Sequence, residues 1–252
     1  MDNHHALLQL ISCIDLTSLE STDNEQSILQ LVQKANEGFD GTYPAAVCVY
    51  PNFGSLVSKN LNKLIQTAVV GGSFPSGQTF TATKISELEL IENSTVQEVD
   101  VVINRGAFIA GDHAFVSNEL NAMRRALPSK KLKVILETGE LKSAENIEKA
   151  AELAIEAGAD FIKTSTGKST TGATPEAVEI MCLVIQNHFK KTGKKIGIKP
   201  SGGIRQIEDA HRYAKIVRNH LGEAWIHPSL FRIGASSLYD AILTKLNHGN
   251  HN

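Results

Sequence analysis

Ala159-Asp160-Phe161-Ile162-Lys163-Thr164-Ser165-Thr166 reads as a buried strand with a lysine inside it. Lys195-Ile196-Gly197-Ile198-Lys199-Pro200-Ser201-Gly202-Gly203 reads the same way, with Lys199 near its end. Lysine is almost never fully buried without a partner. Burial disfavours the ammonium and lowers its pKa, and a second cation nearby lowers it further. Two such lysines on successive strands point to amine-based covalent catalysis. The plainer alternative is that each pairs with a buried carboxylate and only holds the fold.

Working outward from these strands, short apolar runs alternate with longer amphipathic ones. Strands are expected at 8–16, 43–50, 64–74, 98–104, 132–137, 160–165, 195–199 and 230–234. Helices are expected at 23–36, 81–91, 113–127, 143–157, 175–190, 206–219 and 236–246. Thr174-Pro175 suits a cap followed by proline at the first helical position. Regular strand-then-helix alternation implies a parallel sheet with helices outside. Eight units in a chain of 252 residues favour one domain, a closed (β/α)8 TIM barrel. The dinucleotide fingerprint Gly-x-Gly-x-x-Gly is missing after the first strand, which weakens an open doubly wound sheet. Only the tail from about residue 248 reads as loose.

Strand alternation then sorts the side chains. Val99, Val101 and Ile103 form an apolar face that should pack outward, which turns Asp100, Val102 and Asn104 into the barrel. Phe161, Lys163 and Ser165 turn in from the sixth strand, and Gly197 and Lys199 from the seventh. Asp15 falls at the C-terminal end of the first strand, where active sites of this fold lie. Neighbouring strands are about 4.8 Å apart, so Lys163 and Lys199 can approach closely. Glu137 either faces inward or orients the Thr138-Gly139 turn.

Two turns at the expected positions fit an anion. Ser201-Gly202-Gly203-Ile204-Arg205 follows the seventh strand, and Gly234-Ala235-Ser236-Ser237 follows the eighth. In this fold those loops often hold phosphate, because glycines let backbone N–H groups approach and a helix N-terminus favours negative charge. Ser236 and Ser237 would alternatively serve only as caps. Thr166-Gly167-Lys168-Ser169 is not a phosphate loop of the Gly-x-x-x-x-Gly-Lys-Ser type, because Ile162 stands where the first glycine is required. Lys168 is expected to reach the same phosphate or to stand solvated.

The rest of the sequence mainly excludes. A net charge of −2 gives no electrostatic reason to expect nucleic acid or an anionic membrane as partner. No apolar run is long enough to span a bilayer, and the N-terminus lacks a signal peptide's basic region. Cys13, Cys48 and Cys182 are odd in number and far apart, which fits a reducing cytoplasm better than a disulfide framework. None of the nine histidines forms His-Glu-x-x-His, so metal catalysis has little support.

Asp160 to Lys168 resembles the Schiff-base strand of the deoxyribose-phosphate aldolase family. Glu98-Val99-Asp100-Val101-Val102, Leu136 to Leu141, Gly197 to Arg205 and Arg232 to Ser237 are similar to its other blocks. Ile14-Asp15-Leu16-Thr17 and Val47-Cys48-Val49-Tyr50-Pro51 extend the match, which runs from about residue 10 to residue 245. The resemblance implies a metal-free class I aldolase on a (β/α)8 barrel, without cofactor. Such an enzyme reversibly cleaves 2-deoxy-D-ribose 5-phosphate to acetaldehyde and D-glyceraldehyde 3-phosphate. It implies Lys163 as nucleophile, Lys199 as the neighbour that tunes its pKa, and Asp100 as a partner in proton transfer. Gly202, Gly203, Arg205, Ser236 and Ser237 would form the phosphate region, with Lys168 at its edge. Asp15, Thr17, Cys48 and Gly234 would contact substrate. A cytoplasmic homodimer is the expected form. The competing expectations are a Schiff-base aldolase for another sugar phosphate and a non-catalytic sugar-phosphate binder.

Overall fold

The computed structural model describes residues 3–249. Its elements in chain order are α1 (Asn3–Ser12), β1 (Ile14–Thr17), α2 (Glu25–Glu37), β2 (Ala46–Val49), α3 (Gly54–Asn60) and β3 (Gln66–Gly71). Then come α4 (Thr81–Glu92), β4 (Glu98–Val102), α5 (Arg105–Ile109), α6 (His113–Ala126), β5 (Lys131–Ile135) and α7 (Ala144–Glu156). The chain continues with β6 (Phe161–Lys163), α8 (Pro175–Thr192), β7 (Gly197–Lys199), α9 (Ile207–Leu221), β8 (Ile233–Ala235) and α10 (Ser237–Gly249).

All the strand pairings are parallel, in the order β7-β6-β5-β4-β3-β2-β1-β8. The two outer strands meet through the bridges Ile198↔Phe231 and Ser201↔Gly234. The Ile198 N–H donates to Leu230 O at 2.8 Å, Arg232 N–H to Ile198 O at 3.0 Å and Gly234 N–H to Pro200 O at 2.9 Å. The sheet therefore closes, and the architecture is a (β/α)8 TIM barrel, as the alternation implied.

Side-chain alternation explains where the core lies. Val99, Val101, Ile103, Ile162 and Ile198 belong to one large apolar layer between sheet and helices. The inward positions divide into two kinds. Ala46, Cys48, Ala68 and Val70 pack with Leu19 into a small separate apolar cluster, with Tyr50 and Phe74 against it. The remaining lumen holds the charged side chains, with the Phe161 ring 5.6 Å from the Arg232 guanidinium. Asn104, expected inside, instead accepts a hydrogen bond from Ala107 N–H and caps α5.

Several expected elements differ. The run 8–16 was expected to be one strand. It is the end of α1, a break at Cys13, and β1. Leu7, Leu10 and Ile11 are buried at helical spacing, and that wider pattern wins over a short apolar run readable at either period. Strands β6, β7 and β8 have three residues each, shorter than expected. Helices α3 and α5 follow β2 and β4 where loops were expected. Of the tail expected from about 248, His248 continues α10, its ring nitrogen 2.7 Å from Thr244 O, and residues 250–252 lie outside the described residues. Among the described residues no helix is long and apolar enough to cross a membrane.

Candidate active site

The register of the barrel brings the charged side chains together. Lys163 lies directly across from Lys199, and Asp100 from Lys133. Asp15 lies across from Gly234, two residues past Arg232. With Glu98, one turn of the pleat below Asp100, these groups form one buried network. Asp100 Oδ2 accepts from Lys163 Nζ at 2.8 Å and from Lys199 Nζ at 2.7 Å, while Oδ1 accepts from Lys133 Nζ at 2.9 Å. Asp15 Oδ2 lies 2.5 Å from Lys199 Nζ and 3.2 Å from Lys133 Nζ. Glu98 Oε2 is 2.6 Å from Lys133 Nζ. Arg232 spans Asp15 and Glu98 from below, 2.8 Å from Glu98 Oε1.

Three carboxylates thus face four cations: Asp15, Glu98 and Asp100 against Lys133, Lys163, Lys199 and Arg232. A fifth, the partly exposed Lys131, stands 3.6 Å from Glu98 at the edge. In a low-dielectric interior a surplus cation is costly, and the least supported amine gives up its proton. Lys133 touches three carboxylates and Lys199 two, whereas Lys163 touches only Asp100. Burial lowers every one of these amines. For Lys133 and Lys199 the carboxylates overcome it and hold the pKa above the usual lysine range. For Lys163, burial and then the Lys199 ammonium outweigh Asp100, and the pKa falls below that range. Burial would raise Asp100, yet Lys133, Lys163 and Lys199 hold it well below the usual carboxylate range. The arrangement leaves one amine of lowered pKa, Lys163, beside a carboxylate held ionised.

Lys163 is also the member of the network that borders a cleft of about 250 Å³ at the C-terminal ends of the strands. Thr17 and Gly234 border that cleft, as does Lys168 from the turn after β6. Gly202, Gly203 and Arg205 border it after β7, and Ser236 and Ser237 at the start of α10. Gly202 and Gly203 have φ of +84° and +78°. A Cβ at Gly202 would also stand 3.0 Å from Gly172 Cα, so a side chain there meets both strain and backbone. Nine of the thirteen expected site residues thus border this cleft: Thr17, Lys163, Lys168, Gly202, Gly203, Arg205, Gly234, Ser236 and Ser237. Asp100 and Lys199 lie beneath Lys163, fully buried.

Two expected substrate residues lie away from the cleft. Asp15 was assigned to substrate, but it is fully buried and occupied by Lys133, Lys199 and Arg232. Cys48 faces inward but is sealed in its apolar cluster, and burial pushes its thiol up to about 11. Neither borders the cleft. Glu137 does not orient its own turn: its carboxylate accepts from Thr166 and Ser169. Three network members escaped the sequence reading. Glu98 and Lys133 follow from the alternation that places Asp100 inside, applied to β4 and β5. Arg232 follows likewise in the expected strand 230–234, where Phe231 and Ile233 pack outward and Arg232 and Gly234 turn in. Among the described residues no three His, Cys, Asp or Glu side chains are grouped to hold a metal ion.

Comparison with known proteins places this geometry in a family. The family model for DeoC/LacD family aldolases matches residues 9–242. The chain is 40% identical over 257 aligned positions to the deoxyribose-phosphate aldolase of Homo sapiens, covering 96% of this chain and 81% of that one. It is 41% identical over 242 to the deoxyribose-phosphate aldolase of Agrobacterium fabrum (strain C58 / ATCC 33970), covering 95% and 91%. Among solved structures, the tetrameric deoxyribose phosphate aldolase of Aeropyrum pernix superposes with a TM-score of 0.72 at 25% identity, covering 97% and 98%. A barrel with a buried lysine at its mouth, matched along nearly its whole length, leaves one assignment: the chain belongs to the DeoC/LacD family of aldolases and is a carbon–carbon lyase.

Proposed function

We propose that this aldolase reversibly cleaves 2-deoxy-D-ribose 5-phosphate to acetaldehyde and D-glyceraldehyde 3-phosphate through a Schiff base on Lys163. The observation that carries the reading is that the network's one amine of lowered pKa is also its one lysine on the cleft. The neutral Lys163 amine attacks the C1 aldehyde of the open-chain sugar, and loss of water gives an iminium ion. A base takes the C3 hydroxyl proton, and the C2–C3 bonding pair moves into the iminium to give an enamine. The three-carbon aldehyde phosphate leaves. Protonation at C2 and hydrolysis then release acetaldehyde and restore Lys163.

Asp100, between Lys163 and Lys199, is suited to pass these protons, since both amines lie within hydrogen-bond reach of one oxygen. At the other end Lys168, Arg205 and the glycine turns offer cations and backbone N–H groups for the phosphate. That grip supplies binding energy remote from the reacting carbons. Three buried free thiols are consistent with a reducing, cytoplasmic setting, and the homodimer remains part of this reading.

Borohydride reduction in the presence of acetaldehyde tests the mechanism. Mass spectrometry should find one two-carbon adduct, on Lys163, and turnover of deoxyribose 5-phosphate should yield acetaldehyde. An adduct on Lys199 alone, or none, refutes the assignment.

A further inference from the structure

We infer that Glu137 is a positioning residue for phosphate binding: its buried carboxylate fixes the turn that carries Lys168. The inference rests on the reading of the cleft as a sugar-phosphate site. Glu137 follows β5, is fully buried, and adopts φ 57° and ψ 57°. A non-glycine residue keeps that left-handed conformation only where its surroundings over-determine it. Here they do so through the side chain. Both carboxylate oxygens accept from Thr166 N–H at 3.3 Å. Oε2 accepts from Thr166 Oγ1 at 2.5 Å, and Oε1 from Ser169 Oγ at 3.0 Å. Thr166 Oγ1 in turn accepts from Lys168 N–H at 3.1 Å. The carboxylate therefore pins both ends of the four-residue turn and, through one hydroxyl, its middle.

Arg105 holds the other side of Glu137. Its Nη1 lies 3.5 Å from Glu137 Oε2 and donates to Glu140 Oε2 at 2.9 Å. Its Nη2 donates to Pro75 O and Ser76 O, 3.1 and 3.0 Å away, in the loop after β3. The guanidinium compensates the buried charge and ties a third loop to the same point. Glu137 makes no hydrogen bond to Asp100, Lys163 or Lys199 and does not border the cleft. Its loss should therefore loosen Lys168 without disturbing the amine.

The test compares deoxyribose 5-phosphate with unphosphorylated deoxyribose. Glu137→Gln keeps the size of the side chain but replaces one acceptor oxygen by an amide N–H₂, so that the two hydroxyls and the Thr166 N–H can no longer all donate to it. KM for the phosphorylated sugar should rise about ten- to a hundredfold, the scale of a misplaced positioning element. The kcat/KM for deoxyribose and the acid limb of the pH profile should stay as in the parent. An equal fall for both sugars, or no change for either, overturns the inference. Ser169→Ala removes one of the bonds without touching Glu137, and it carries the test if Glu137→Gln does not fold. It should produce the same split at smaller size, and its absence there also overturns the inference. If the parent protein does not turn over either sugar, the functional reading fails by itself. Binding of inorganic phosphate, titrated by ³¹P NMR, then decides the inference alone: weaker in the variants supports it, equal binding refutes it.

Discussion

Below Lys163 the charged groups inside the barrel are matched and buried, with Lys131 partly exposed at their edge; above it the cations stand in the open. In the lower half Asp15, Glu98 and Asp100 are shared among Lys133, Lys199 and Arg232, all essentially without exposure. In the upper half Lys168 has a single exposed partner, Glu20 at 3.2 Å, and Arg205 lies exposed on the cleft. Buried pairs are strong only as a set, since removing one partner strands a charge in a low dielectric. Exposed pairs are screened and exchange readily for a ligand. The lower network is therefore suited to set a pKa, and the upper one to take and release an anion. Lys163 sits where the two meet, three per cent exposed.

Breaking the lower half should have the larger consequence. Arg232→Met leaves Asp15 and Glu98 with fewer partners and keeps an apolar stem below the network. Truncating one side of a buried ion pair destabilises by about 3–5 kcal/mol. Urea denaturation at neutral pH should show that loss as a lower midpoint with an unchanged slope. A midpoint within error of the parent would mean that the lower network holds no charge that needs compensation.

A subtler change to the same half reads out on chemistry. Lys199→Leu turns four cations against three carboxylates into three against three. The protonated Lys163 then becomes the form that balances Asp100, so its pKa rises. With Lys163 as the proposed nucleophile, activity needs the free amine and increases with pH through the Lys163 pKa, so a raised pKa moves that acid limb upward. Each unit corresponds to about 1.4 kcal/mol and about tenfold less free amine at a fixed pH below it. A tuning role alone shifts the limb and spares the plateau rate; a relay role with Asp100 lowers the plateau as well. A pH–rate profile identical to the parent's would leave Lys199 a purely structural lysine.

The two halves were not equally legible in the sequence. Lys163, Lys199 and Asp100 stood out because a charge inside an otherwise apolar strand is rare. Lys133 did not, because Lys131-Leu132-Lys133 reads like the polar start of a strand rather than its buried middle. Arg232 is equally inconspicuous beside the apolar pair Phe231 and Ile233, although alternation over 230–234 turns it inward with Gly234. The turns of the upper half were legible from glycine spacing, since Gly202 and Gly203 need positive φ. Asp15 lies on the expected strand but deeper than expected, fully buried beneath the cleft. Alternation gives the face of a residue and not its depth below the mouth. Glu137 illustrates the same limit, because its partners lie some thirty residues onward and no local pattern announces them.

The smallest expected effect sharpens the contrast from the upper side. Glu20 and Lys168 both border the cleft, and Glu20 pairs with the lysine that the phosphate would take. A dianion entering must displace that carboxylate and then sit near its charge. Exposed pairs of this kind are worth about 0.2–1 kcal/mol. Glu20→Gln should therefore lower KM for deoxyribose 5-phosphate by only about 1.4- to fivefold, with kcat unchanged and deoxyribose unaffected. Because both groups are solvated, the advantage should shrink as salt shortens the Debye length from about 10 Å at 0.1 M to about 3 Å at 1 M. The shift that Lys199→Leu causes in the acid limb should persist over the same range, since buried charges are screened far less. If salt erased both effects alike, the separation of a sealed tuning network from an exchangeable anion grip would fail.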